Sequence, residues 1–215
     1  NSTTHITAEQ GMPAEATVRA VAFAPDGSVW AGSDKGVAVI QNGKVSEMIT
    51  AANAGLAGDS INALFAGTDG SMWVGTDGGA SRRTPDGQWE HYGLGSPFSY
   101  TVAVTDIAED KSGAVWVATS GDGAYRLADG KWQRFAPRDP AGVALPSTYV
   151  NSVTVAADGS VWFGTQSGAA RFEGSTWQAF GIKEGLIDSE VYDIFVDKLG
   201  TVWFATAGGV SRNKP

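Results

Sequence analysis

Five tryptophans recur at nearly constant intervals, each inside the same short frame, and that period constrains the architecture before any local propensity is weighed. The frame is a tight turn, a strand around Trp and a second turn. It reads Asp26-Gly27-Ser28-Val29-Trp30-Ala31-Gly32-Ser33 in the first repeat and returns around Trp73, Trp116, Trp162 and Trp203. The spacings are 43, 43, 46 and 41 residues, and passing from Trp203 to the chain end and on from the start to Trp30 gives 42. A period that closes on itself predicts a ring.

Each repeat reads as four antiparallel strands. An alternating first strand (Val18 to Phe23, Ile61 to Phe65, Val104 to Ala108, Val150 to Val155, Val191 to Val196) precedes the turn, and the second strand carries Trp. Asp-Gly supplies the positive φ a tight hairpin needs. Further turns, such as Asp77-Gly78-Gly79 and Asp86-Gly87, introduce third and fourth strands. Four strands in about 43 residues is the size of one propeller blade. The last repeat stops after Ser211-Arg212, while Thr3-Thr4-His5-Ile6-Thr7 precedes any first strand. The predicted fold is therefore an all-β, five-bladed propeller closed by the N-terminal strand, which completes the last blade and removes an open sheet edge. It forms one domain over residues 1–215, with blades at about 18–58, 61–98, 104–145, 150–186 and 191–215 plus 1–10.

Composition agrees. Among 215 residues there are 29 Gly and 8 Trp, no Cys, and only 18% charged residues, which suits many short strands joined by tight turns. The five strand-centred Trp are expected in the core between blades, where truncation to Ala costs about 3–5 kcal/mol. The repeated Asp-Gly pairs are expected as turn residues, not as a ring of metal ligands. A net charge of −8 argues against nucleic acid or an anionic membrane as partner. No apolar run is long enough to span a bilayer, and Asn1-Ser2-Thr3-Thr4 lacks the charged and apolar parts of a secretion signal. The absence of Cys fits cytoplasm or periplasm alike.

The pattern Gly-Leu, Val-x-x-Ile, Asp-x-x-Gly-x-x-Trp and Thr resembles the two-component-regulator propeller repeat of periplasmic sensor regions in hybrid histidine kinases and related secreted proteins. The residues that carry it best are Gly185-Leu186 with Val191 and Ile194, followed by Asp197, Gly200, Trp203 and Thr206; Gly55-Leu56 with Asn62 through Thr76 is close behind. The resemblance covers almost the whole chain and implies a propeller, a sensing role and a periplasmic or secreted location. Relatives of this kind usually carry more blades, a membrane helix and a kinase. A fold alone does not fix a function.

A site is expected on the face where the fourth-to-first strand connections emerge, because these vary in length and content (Thr50 to Ser60, Gly93 to Val102, Ala136 to Tyr149, Gly181 to Glu190) while the opposite turns are short and uniform. The second position of the first strand holds Arg19, Asn62, Thr105, Asn151 and Tyr192, five polar side chains that must be met by one another, by water or by a ligand. Tyr100, Tyr149, Asp77, Gln166 and Glu190 extend the candidate ligand site, with Phe98, Asp34, Asp122 and Lys183 further around the rim. The next column contains Asp106 and Asp193, a thin ligand set for a cation that takes six to eight oxygens, so pairing with Arg19 is the preferred expectation.

These residues point to a non-catalytic binding or sensor module, without cofactor, that takes a small polar molecule or glycan as a monomer. The alternatives are a protein-interaction platform on the same face and an excised or engineered propeller scaffold. A lyase or glycoside hydrolase is the weaker alternative, since only His5 and His91 are available for acid–base work near neutrality and both fall on the outer strand.

Overall fold

The computed structural model describes residues 3–95, 97–98, 101–138 and 145–214, organised as two compact units, residues 1–104 and 105–215. The first unit contains two sheets. One is β1 (Val18–Phe23), β2 (Val29–Ser33), β3 (Gly36–Gln41) and β4 (Lys44–Ile49) in that order; the next is β5 (Ile61–Ala66), β6 (Met72–Thr76), β7 (Gly79–Arg83) and β8 (Trp89–Leu94), extended by a short parallel β9 (Pro97–Phe98). A third sheet, β10 (Ala103–Glu109), β11 (Val115–Ser120), β12 (Ala124–Ala128) and β13 (Lys131–Phe135), begins at the boundary. The second unit continues with β14 (Val150–Val155), β15 (Val161–Thr165), β16 (Gly168–Glu173) and β17 (Thr176–Phe180), and then β18 (Val191–Val196), β19 (Val202–Thr206) and β20 (Gly209–Asn213). Apart from β9, every sheet is an antiparallel meander in chain order, and among the described residues the sheets hold three to five strands each, not four throughout.

The Trp column is the core. Trp30, Trp73, Trp116 and Trp162 are buried. In four repeats an Arg stands directly across the hairpin from Trp, with its guanidinium 5.6–5.8 Å from the ring: Arg82 over Trp73, Arg126 over Trp116, Arg171 over Trp162 and Arg212 over Trp203. A cation over an aromatic face is attracted by its quadrupole. The turn Asp completes the clamp: Asp69 pairs with Arg82, Asp110 with Arg126 and Asp158 with Arg171. The same carboxylates close their own turns, as Ser28 N and Oγ both donate to Asp26 Oδ1 and Ser160 N and Oγ to Asp158 Oδ1. The Ser28 and Ser160 hydroxyls hold Asp26 and Asp158 below the usual carboxylate range, and the Trp203 indole does so for Asp197.

Adjacent sheets approach most closely where a small residue two beyond Trp meets the first residue of the next sheet. A Cβ on Gly75 would lie 2.6 Å from Val104 Cγ1, and one on Gly164 would lie 3.0 Å from Val191 Cγ1, both too close for a side chain to fit unless its neighbour moves. Glycine is required here for the close approach, not for its backbone freedom.

The N-terminus departs from expectation. Thr3 to Thr7 carries no strand, and the sheet of β18, β19 and β20 has three strands among the described residues. From Thr7 to Gly11 the chain makes a connecting turn built like two others. Thr7 N donates to Gln10 Oε1 ahead of Gly11, Thr50 N to Asn53 Oδ1 ahead of Gly55, and Gly181 N to Glu184 Oε2 ahead of Gly185. All three glycines have positive φ. Gly11 packs on Val45 of β4, which anchors this turn to the first sheet.

Candidate functional site

The five polar residues at the second position of the first strand have partners that explain most of them. Asn62 Nδ2 donates to Val104 O (3.2 Å), Thr105 Oγ1 to Val150 O (2.6 Å) and Asn151 Nδ2 to Val191 O (2.8 Å). In each case the acceptor is the carbonyl of a buried valine at the start of the next sheet's first strand. Arg19 Nη1 donates to Ser60 Oγ at 2.7 Å, again at the entrance of the next sheet. Four of the five side chains therefore staple one sheet to its successor. Tyr192, in the last sheet, is the exception and stands half exposed.

The rim residues are brought to the same strand ends by a recurrent backbone bond. Asp34 N donates to Thr17 O, Asp77 N to Ser60 O, Gln166 N to Tyr149 O and Ala207 N to Glu190 O. Each joins the turn after the Trp strand to the residue just before a first strand. Asp77 is further engaged through Oδ1, which accepts from Asn62 Nδ2 at 2.7 Å. Tyr149 and Tyr192 both present half-exposed rings, and the Asn151 bond to Val191, midway between Glu190 and Tyr192, sets their two strands side by side. The Glu190 carboxylate raises the Tyr192 phenol above its ordinary value. Tyr100 lies outside the described residues.

Two expected rim residues are elsewhere. Phe98 is buried in β9. Asp122 is fully buried, its Oδ1 ion-paired with Arg134 Nη2 at 2.6 Å and its Oδ2 accepting from the Tyr125 hydroxyl, so it is an internal carboxylate and not part of an open face. Its partner on β13 was the signal the sequence did carry: an Arg one strand over, at the register Tyr125↔Arg134.

The carboxylates of the next column, Asp106 and Asp193, differ in how they are held. Asp106 Oδ1 accepts from Ile107 N and Oδ2 from Val153 N, both at 2.8 Å, the second bond crossing from the third sheet to the fourth. Burial pushes its carboxyl up to about 6, the two N–H donors pull against that, and the charge of Asp193 adds to it. Asp193 Oδ1 accepts from its neighbour Ile194 N in the same way. Arg19, expected as their counter-charge, is bonded to Ser60 Oγ. Among the described residues no group of three or more His, Cys, Asp or Glu gathers as a metal site.

His91 sits on β8, the fourth strand of its sheet, with Nδ1 3.1 Å from Ser81 Oγ and its ring stacked on Trp89 at 6.2 Å. No helix among the described residues is long and apolar enough to cross a membrane.

Comparison with known proteins adds to this geometry. No curated protein sequence matches the chain. The extracellular domain of the hybrid two component system BT3049 from B. thetaiotaomicron superposes with a TM-score of 0.79 at 20% identity, over 93% of this chain and 28% of that one. The extracellular domain of BT4673 from the same organism gives 0.75 at 22% identity, over 91% and 27%. The chain thus spans little more than a quarter of either. A catalytically inactive virginiamycin B lyase from Staphylococcus aureus, solved with quinupristin, gives 0.69 at 21% identity, over 94% of this chain and 71% of that one. At these identities the likeness is one of fold. The sequence itself matches the two component regulator propeller at residues 55–78, 99–121, 144–167 and 185–208. Four of the five repeats of this chain are two component regulator propeller repeats.

Proposed function

We propose that the five sheets are blades of a propeller that serves as the non-catalytic binding part of an extracytoplasmic sensor, periplasmic or secreted, with a small polar molecule or glycan as its ligand. The observation that carries this reading is the pair of half-exposed tyrosines, Tyr149 just before β14 and Tyr192 on β18, whose strands are tied together by Asn151, with Gln166 and Glu190 beside them. A tyrosine ring offers an apolar face to the C–H side of a sugar and a hydroxyl to its polar side. Glu190 accepts from ligand hydroxyls or an amine, and Gln166 supplies both a donor and an acceptor. Arg19, Asn62, Thr105 and Asp77 serve as a supporting layer, since their polar groups already hold neighbouring strands, and Tyr100 belongs to the rim. The repeat family and the extracellular domains among the similar structures support a sensing role. Acid–base catalysis has little support, because His91 is stacked on Trp89 on an outer strand.

A thermal-shift panel of monosaccharides, oligosaccharides and amino acids tests the reading. At least one compound is expected to stabilise the wild type, with affinity weakened about tenfold or more, roughly 1.4 kcal/mol, by Tyr149→Ala and by Tyr192→Ala. A ligand bound equally well by both variants would place the site elsewhere.

A further inference from the structure

The arginine that stands across from tryptophan in four repeats has no counterpart in the first. Val39 occupies its position opposite Trp30, where Arg82, Arg126, Arg171 and Arg212 face Trp73, Trp116, Trp162 and Trp203. The groups that hold such an arginine are nevertheless kept. In the second sheet Arg82 lies over Trp73 and pairs with Asp69 of the turn and with Glu90, directly across on β8. The first sheet has Trp30, Asp26 of its own turn and, at the same register on β4, Glu47 across from Val39. Its cradle has every member but the cation.

The turn carboxylates show the difference atom by atom. Asp69 and Asp158 each accept from a serine N and Oγ through Oδ1, and from an arginine through Oδ2. Asp26 Oδ1 accepts from Ser28 N and Oγ in the same way, but Oδ2 has no donor among the described residues. Arg83, reaching across from the second sheet, comes within 6.0 Å of the Trp30 ring, yet its Nη1 is paired with Glu47 at 3.3 Å. Two carboxylates about one guanidinium leave the place short of positive charge. These groups line a cavity of about 540 Å³ between the first and second sheets, both within the unit of residues 1–104, with Asp26, Trp30, Val39, Ser46, Glu47 and Arg83 in its wall. That is the size of a small-ligand site. Asp26 and Glu47 are exposed, so a ligand enters from their side.

We propose that this cavity binds a guanidinium-bearing ligand, whose head group lies beside Asp26, Trp30 and Glu47 as that of Arg82 lies beside Asp69, Trp73 and Glu90. A valine ends at its Cγ atoms, so Val39 reaches only as far as the stem of the arginine it replaces, and the ligand supplies the rest. A planar guanidinium directs its N–H groups outward in a fork and can donate to two carboxylates while its face meets an indole. An ammonium carries the same charge without that shape. The head group is the same in a free guanidino compound and in an arginine side chain of a peptide. No residue of the tyrosine site takes part, so this site stands or fails independently of the function proposed above.

Isothermal titration calorimetry of the whole chain with butylguanidinium, and with butylammonium as the matched ammonium, tests the proposal. Butylguanidinium is expected to saturate one site with a Kd of about 1 mM or tighter, and to bind about tenfold or more tighter than butylammonium. Val39→Arg places the chain's own guanidinium in the cradle and is expected to abolish binding. Asp26→Asn keeps an acceptor for Ser28 but removes the charge, and is expected to weaken binding about tenfold or more. Far-UV circular dichroism identifies variants that keep the fold, and if Val39→Arg does not, Asp26→Asn carries the test. Agmatine and an N-acetylated arginine amide, titrated alongside, tell a free ligand from a peptide side chain by which binds more tightly. Absence of saturable butylguanidinium binding overturns the proposal, as does unchanged binding in either folded variant or equal affinity for butylammonium.

Discussion

The Asp106 carboxyl makes stability depend on pH in the direction opposite to most acidic residues. In the folded chain its value is pushed up to about 6 from 3.8, because burial disfavours the charged form more strongly than two N–H bonds favour it. The folded state therefore holds the proton more tightly than the unfolded chain, and the group's contribution is full below the unfolded value and lost as pH rises through the folded one. Between about pH 4 and 6 the native state carries roughly one more proton than the unfolded state at this site. The slope is about −1.4 kcal/mol per pH unit, and the span amounts to ~3 kcal/mol. Asp26, Asp158 and Asp197, held below their ordinary values, act in the other direction at lower pH, so the effect must be isolated by difference. Urea unfolding of the wild type and Asp106→Asn from pH 4 to 7.5 provides it. Over the assayed range, which starts just above the unfolded value, the wild type is expected to lose about 2.4 kcal/mol relative to the variant as pH rises, most of it before pH 6.5. A difference that is flat with pH refutes the account, whatever the offset between the two proteins.

The core supplies two further expected outcomes. Trp116→Ala removes a fully buried ring that touches Phe135, Phe163 and Phe172 and donates its N–H to Asp110, and urea unfolding should show a loss of about 3–5 kcal/mol. Arg134→Met leaves Asp122 buried without its cation and should cost about 3–5 kcal/mol in the same assay, with Arg134→Met combined with Asp122→Asn recovering part of the loss.

Most strands were legible because the period fixes their order: a turn glycine marks the first hairpin of each repeat, and the residue two beyond Trp is small. The turn carboxylates were legible for the same local reason, since Asp26 and Asp158 bond to groups two residues away. The destinations of the polar column were not. Asn62, Thr105 and Asn151 reach backbone carbonyls 40 to 45 residues further on, and backbone acceptors have no letter in the sequence. A column of polar residues near a strand start reads as a binding ring or as a set of staples until those carbonyls are placed. Asp122 reads as a rim residue because its counter-ion lies on another strand, 12 residues ahead, and Phe98 does so because β9 turns back beside β8. The clamp of Asp, Arg and Trp was visible as an Arg nine or ten residues after each of four tryptophans, a spacing that gains meaning only once cross-strand register is known.

The small residue two beyond each Trp has a consequence for how such chains change over evolutionary time. The fit between Gly75 and Val104, or Gly164 and Val191, involves one residue from each side and refers to nothing beyond its immediate neighbour. No such joint holds information about how many others there are. Duplication or loss of a whole repeat preserves every remaining contact, so the tally of repeats can drift by recombination while each joint stays under selection for the same two side chains.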